Sequence, residues 1–287
     1  MTPQDTLKKA QRRPTFPHAA VWLWLSIAAA LLAIAGNIVA LSVSSIYASL
    51  TPAFWPQALA QDIASLAIVS PIWLILAALA LRGSLRAYLL WLGVLIFTVY
   101  NYVIYTFSVP FGPLFPLWVA VFGMSIYSLI GSIAAIDPKA AEPAFTSRRA
   151  ALIVAWALII AAVLFCLLWL SEDVPALLSG TRPHSLVDMA LPTNPVHILD
   201  LGFFLPAAIA TGIFLIKRKP LAYALAPSLI VFMILTGIPI LLTPVVQATH
   251  GQAAAWGAVV PIGTLTIILL VLLVGFLLTI RPRAKAA

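Results

Sequence analysis

Eight apolar runs, each about twenty residues or longer, account for most of this chain and leave few ways for it to fold. They cover residues 19–46, 60–81, 85–107, 113–135, 150–171, 197–216, 221–243 and 256–280. A helix rising 1.5 Å per residue needs about 20 residues to cross roughly 30 Å of hydrocarbon. The runs meet that length, and only 8% of the 287 residues are charged, against roughly 25% in soluble domains. They lack the alternating pattern of a membrane barrel and are too long for its strands. Backbone polar groups in lipid must be satisfied within the segment, which leaves helices. The sequence therefore predicts an all-α, polytopic membrane helical bundle of about eight transmembrane helices. Residues 19–280 form one transmembrane domain between a tail at 1–18 and a tail at 281–287. The first run exceeds the roughly 7–15 residues of a signal-peptide core, so it reads as a retained helix.

Lys and Arg set the expected orientation. Fifteen of the sixteen fall at the two ends of the chain and in every second loop: 8–13, Arg82 with Arg86, Lys139 with Arg148 and Arg149, Lys217 to Lys219, and 281–285. Only Arg182 lies on the other side. Both termini are thus expected in the cytoplasm, and the sharp bias points to a bacterial inner membrane. The formal net charge of +8 is explained by these topology signals beside lipid headgroups, so nucleic acid is excluded as a partner and the lipid bilayer is the expected one. The opposite loops carry acids and three of the four histidines, His184, His197 and His250. The longest of them, 171–196, is long enough to fold over the outer mouth.

A shift of 135 residues superposes Pro71 on Pro206, Arg82 on Lys217, Ala87-Tyr88 on Ala222-Tyr223, and Phe97 on Phe232. This predicts a 4+4 internal repeat, 19–136 and 150–280, whose halves run parallel because each has an even number of helices. Transporters use such repeats, with sites at the repeat interface. Pro71 and Pro206 are expected to kink their helices, because proline removes a backbone donor and frees a carbonyl; Pro239 and Pro261 also fall within runs. Gly123, Gly131, Ser128 and Ser132 sit at spacings that suit close helix packing.

Ionisable and amide groups inside spanning segments are costly and mark candidate sites. Measured from the basic ends of their helices, Asp62, His197, Asp200, Asn101 and Tyr105 share one band roughly 22–30 Å away, in the outer part of the membrane. Asn194-Pro195 suits a helix start, with Asn as cap and Pro as first residue. His197 and Asp200 then lie at i and i+3 on one face. The positive end of the helix dipole favours an ionised Asp200 beside a neutral His197, a pair able to relay protons or ligate a metal. Asp62, next to Gln61, reads either as a substrate or proton group or as an interfacial helix cap. Tyr100, Tyr102 and Tyr105 also suit an aromatic belt. Asn101 needs a hydrogen-bond partner on another helix or on a ligand, and Asn37 is a weaker case of the same kind.

No phosphate-binding loop, His-Glu-x-x-His motif or Cys-x-x-Cys pair occurs, and the one cysteine, Cys166, lies in an apolar run. A bis-His haem lacks its second helical histidine. A divalent metal on His197, Asp200 and Asp62 is the one cofactor the pattern suggests. Three functions fit these residues: a small-solute or ion transporter with an outward-facing polar site; a membrane-embedded enzyme with a metal or acid–base site at the outer leaflet; and a non-catalytic sensor or assembly subunit. Substrate, reaction and oligomeric state are not encoded in any recognisable motif.

Overall fold

The computed structural model describes residues 19–136 and 145–280. Among these, eight helices are long and apolar enough to cross a membrane. They are α1 (Ala20–Ser42), α2 (Trp55–Leu81), α3 (Leu85–Ser108), α4 (Phe115–Ala134), α5 (Arg148–Ser179), α6 (Pro195–Ile216), α7 (Pro220–Thr249) and α8 (Trp256–Leu278). The all-α membrane bundle expected from the eight runs is therefore the fold. The two tails and the basic residues at 8–13, 139 and 281–285 lie outside the described residues.

Local chemistry sets the helix ends. The Ser84 and Ser147 hydroxyls accept from the backbone N–H groups of Ala87 and Ala150, capping α3 and α5. Asn194 caps α6 as expected, accepting from the N–H of Val196 at 3.0 Å, with Pro195 in the first position. Cations close the other ends. Arg148 donates to the carbonyls of Leu215 and Ile216 at 2.7 and 2.6 Å, and Arg86 to that of Ile280 at 2.7 Å. Each guanidinium adds a donor to carbonyls at the end of a helix, where the last turn is short of intrahelical partners; Leu215 also accepts from the Arg218 N–H at 3.1 Å. Arg82, Arg86, Arg148, Arg149 and Lys217 to Lys219 thus gather at one end of the bundle, here the basic end; Arg182 lies at the opposite, acidic end.

Helices α3 and α7 form the centre. Most of the apolar stretch of α3, 78%, is buried inside the protein, against 17% for α8. The two central helices cross at a point where a Cβ on Gly93 would meet the Ser228 carbonyl and the Val231 Cβ, both at 2.5 Å. The Ser228 hydroxyl donates to the Leu89 carbonyl at 2.8 Å across the same crossing. Without a hydrophobic drive between helices in lipid, such backbone proximity supplies the packing. Helix α4 packs on α1, with Gly131 under the Trp22 ring, but Gly123 has no neighbour there to accommodate. Gly212 brings α6 against the Ala155 carbonyl and Ile159 of α5.

Several boundaries depart from the sequence expectation, among them the end of α1 at Ser42 and the end of α7 at Thr249, past residue 243. Helix α2 starts at Trp55, not residue 60, because Pro56 initiates it, so Asp62 is an interior residue and not a cap. Helix α5 runs on to Ser179, past Pro175, before Gly180 in the left-handed conformation (φ 65°) closes it. Glu172 and Asp173 therefore belong to a helix and not to a loop. Pro261 sits in the first turn of the segment Val259–Leu278, where its missing donor would be unpaired anyway, so it interrupts nothing.

Pro71 and Pro206 each follow a five-residue π-turn, Ser65–Val69 in α2 and Asp200–Phe204 in α6. The wider turn accommodates a residue that has no N–H and crowds the carbonyl four positions back. The turns from α2 to α3 and from α6 to α7 also match. Ser84 N–H bonds the Leu79 carbonyl at 3.1 Å, and Lys219 N–H the Phe214 carbonyl at 2.8 Å. Gly83 (φ 89°) and Arg218 (φ 55°) hold the left-handed position in each.

Candidate functional site

At the acidic end the helices separate around a cavity of about 370 Å³. Its walls come from α2 and α3 and from α5, α6, α7 and α8, and the short helix His184–Asp188 with its flanks contributes Ser185 and Met189 at the mouth. Gln57 of α2 donates to the Met189 sulfur at 3.7 Å, so the long loop does reach across to the first half of the chain. The floor lies deeper than the polar residues suggested. Phe232 lines it, twelve residues into α7, roughly 18 Å from that helix's basic end and close to the middle of the hydrocarbon.

Two hydrogen-bonded groups border the cavity. The first centres on Asp62, only 1% exposed. The Tyr47 and Tyr105 hydroxyls donate to its two carboxylate oxygens, each at 2.6 Å. Tyr47 is delivered by the 3₁₀ turn Ser44–Tyr47 that follows α1. Burial, reinforced by the Asp62 charge, holds the Tyr47 phenol well above its ordinary pKa near 10, so it remains a donor. Tyr105 stacks on Trp118 at 5.3 Å and forms part of the cavity wall, whereas Asp62 lies behind it. Gln61, which also lines the cavity, donates to Ser65 at 2.9 Å.

The second group centres on α6. Asp200, the first residue of the π-turn, accepts from the Trp169 indole N–H at 2.8 Å, and Tyr100 lines the same part of the cavity. The His197 Nδ1–H donates to both oxygens of Asp173 at 3.0 Å, while Nε2 faces the Glu172 carboxylate at 3.8 Å. The His197 ring stacks on Trp169 at 4.6 Å. His197, Asp200, Asn101 and Tyr105 all line the cavity. Asn101 is 6% exposed, and its side-chain amide has no hydrogen-bond partner among the described residues.

Four of the five candidates thus share one wall, and the fifth, Asp62, reaches it through Tyr105. The tyrosines are interior and not a belt: Tyr100, Tyr102 and Tyr105 are each at most 5% exposed. The three candidate metal ligands are not brought together. Asp62 is engaged by two phenols, Asp200 by an indole, and His197 by Asp173. Among the described residues no group of three or more His, Cys, Asp or Glu side chains could hold a metal ion. Asn37 is buried elsewhere, outside the cavity lining, with its Nδ2 unpartnered. Trp169, Glu172, Asp173 and Tyr47 are the partners that sequence reasoning missed. The one available signal was an adjacent acid pair a helical turn beyond Trp169.

Fold and cavity together define a polytopic α-helical membrane protein with a buried polar wall open toward one end. No family model, no curated protein and no solved structure matches the chain.

Proposed function

We propose that this protein is a small-solute transporter of a bacterial inner membrane, with both ends of the chain cytoplasmic and the cavity facing outward. One observation carries the reading: a cavity that reaches the middle of the bundle is walled by helices of both halves of the chain, and among the described residues no Lys or Arg pairs the carboxylates that line it, Glu172 and Asp200, or Asp62 behind it. Ionisable groups kept inside a membrane without a fixed counter-charge suit a moving one, a proton or a substrate cation.

The 4+4 repeat belongs to the same proposal. The two π-turns, the two left-handed turn residues, and Pro71 with Pro206 are all separated by 135 residues. So are Gly93 and Ser228, which touch each other at the central crossing. Equivalent residues meet each other only where a two-fold axis passes between them. Such an axis would run through the α3–α7 crossing, where parallel-repeat transporters rock.

Purified protein in sealed vesicles should take up its solute, and Asp62→Asn and Asp200→Asn should each reduce uptake by about tenfold or more while the folded protein persists. Uptake unaffected by both variants would rule out the carboxylates as transport groups. The observation that favours an enzyme is the Asp173–His197 pair, an imidazole oriented by a carboxylate. Its free nitrogen, however, faces Glu172 and not a nucleophile. Turnover of a lipid-like substrate by detergent-solubilised protein, lost in His197→Ala, would restore that reading.

A further inference from the structure

We infer that the molecule this cavity receives is an amphipathic organic cation: a largely apolar body carrying one positive charge. The inference rests on the reading of the cavity as a solute site and specifies its substrate class. A volume of about 370 Å³ falls within the range of small-molecule pockets. Most of the wall is aliphatic and aromatic, so an ion with a full hydration shell gains little there, and an apolar body gains by leaving water or lipid for a fitted surface.

The charge asymmetry fixes the sign. Among the described residues Glu172 and Asp200 line the cavity, and no Lys or Arg does. His197 also lines it, but Asp173 occupies its Nδ1. An anion would be placed against two carboxylates with no Lys or Arg beside it among the described residues, whereas a cation would meet Asp200, whose hydrogen-bond partner is the neutral Trp169 indole. Tyr100, Trp169 and Phe232 line the same space, with one face of Trp169 taken by His197 and one of Phe232 by Phe204; an aromatic face left open there attracts a cation that has shed water. The Asn101 amide adds a polar contact independent of charge: it lines the cavity, is 6% exposed, and no group among the described residues bonds it, so it is open to a solute there.

The test uses the full-length protein in detergent and two probes of nearly equal shape, tetraphenylphosphonium and tetraphenylborate. Binding is followed by tryptophan fluorescence and confirmed by equilibrium dialysis. Tetraphenylphosphonium should bind at least about tenfold more tightly than tetraphenylborate, and Asp200→Asn should remove most of that preference. Should Asp200→Asn fail to fold, Glu172→Gln is read in its place and should narrow the preference in the same direction. Equal affinity for the two ions, or tighter binding of the borate, overturns the inference, as does a preference that survives in the folded variants. Vesicle uptake separates this result from the transport reading. Charge-selective binding without uptake keeps the cation site and rejects transport; uptake of a solute with no charge preference in binding does the reverse.

Discussion

Among the described residues Asp62 is held by two phenols, an arrangement that makes each hydroxyl consequential. A hydrogen bond to a charged group contributes about 1.5–3 kcal/mol, and a buried carboxylate that loses a donor also keeps its desolvation cost. Tyr47→Phe and Tyr105→Phe should each lower the thermal unfolding midpoint of the detergent-solubilised protein. The double variant should be worse, and adding Asp62→Asn to it should recover part of the loss by removing an unsatisfied charge. A double variant as stable as the wild type would mean that water or another group satisfies the carboxylate. The sequence located Asp62 and Tyr105 but could not pair them, because they lie 43 residues apart on different helices. Tyr47 was out of reach altogether. A tyrosine at the end of an apolar run resembles any interfacial tyrosine until the 3₁₀ turn after α1 folds it inward.

Between the helices, the two matching turns offer an internal control. Gly83 occupies its left-handed position without a side-chain penalty, whereas Arg218 places a Cβ there at a cost of about 1 kcal/mol. Arg218→Gly should therefore stabilise the protein and raise the unfolding midpoint, and Gly83→Ala should destabilise it and lower the midpoint, each through a stability change of about 1 kcal/mol. Shifts of the same sign in the two variants, or no shift in either, would show that the turn conformation is not what sets stability there. The helices and their spacing were legible from apolar length. The start of α2 and the end of α5 were not, since both extend beyond the hydrocarbon, where hydropathy fades and caps decide. The short α2 expected from hydropathy made Asp62 look like a cap, and the truncated α5 hid Glu172 and Asp173 in a supposed loop.

The bundle as a unit has an orientation that labelling can test. In a Cys166→Ala background, intact cells should admit an impermeant maleimide to Arg182→Cys and not to Lys217→Cys, both positions being exposed at opposite ends. The opposite pattern would invert the topology and place the cavity on the cytoplasmic side. Apolar runs and the alternation of Lys and Arg were enough to specify eight membrane helices and the end at which each polar candidate sits, because helix length and residue period depend only on the local chain and its solvent. Which helices stand at the centre, that a cavity opens between α2, α3 and α5–α8, and that His197 turns to Asp173 while Asp62 turns to two tyrosines were decided by packing. In lipid, neighbouring apolar surfaces are not distinguished by hydrophobicity. Close fits such as Gly93 on Ser228, and a few buried hydrogen bonds, choose the arrangement, and these join residues far apart in the chain.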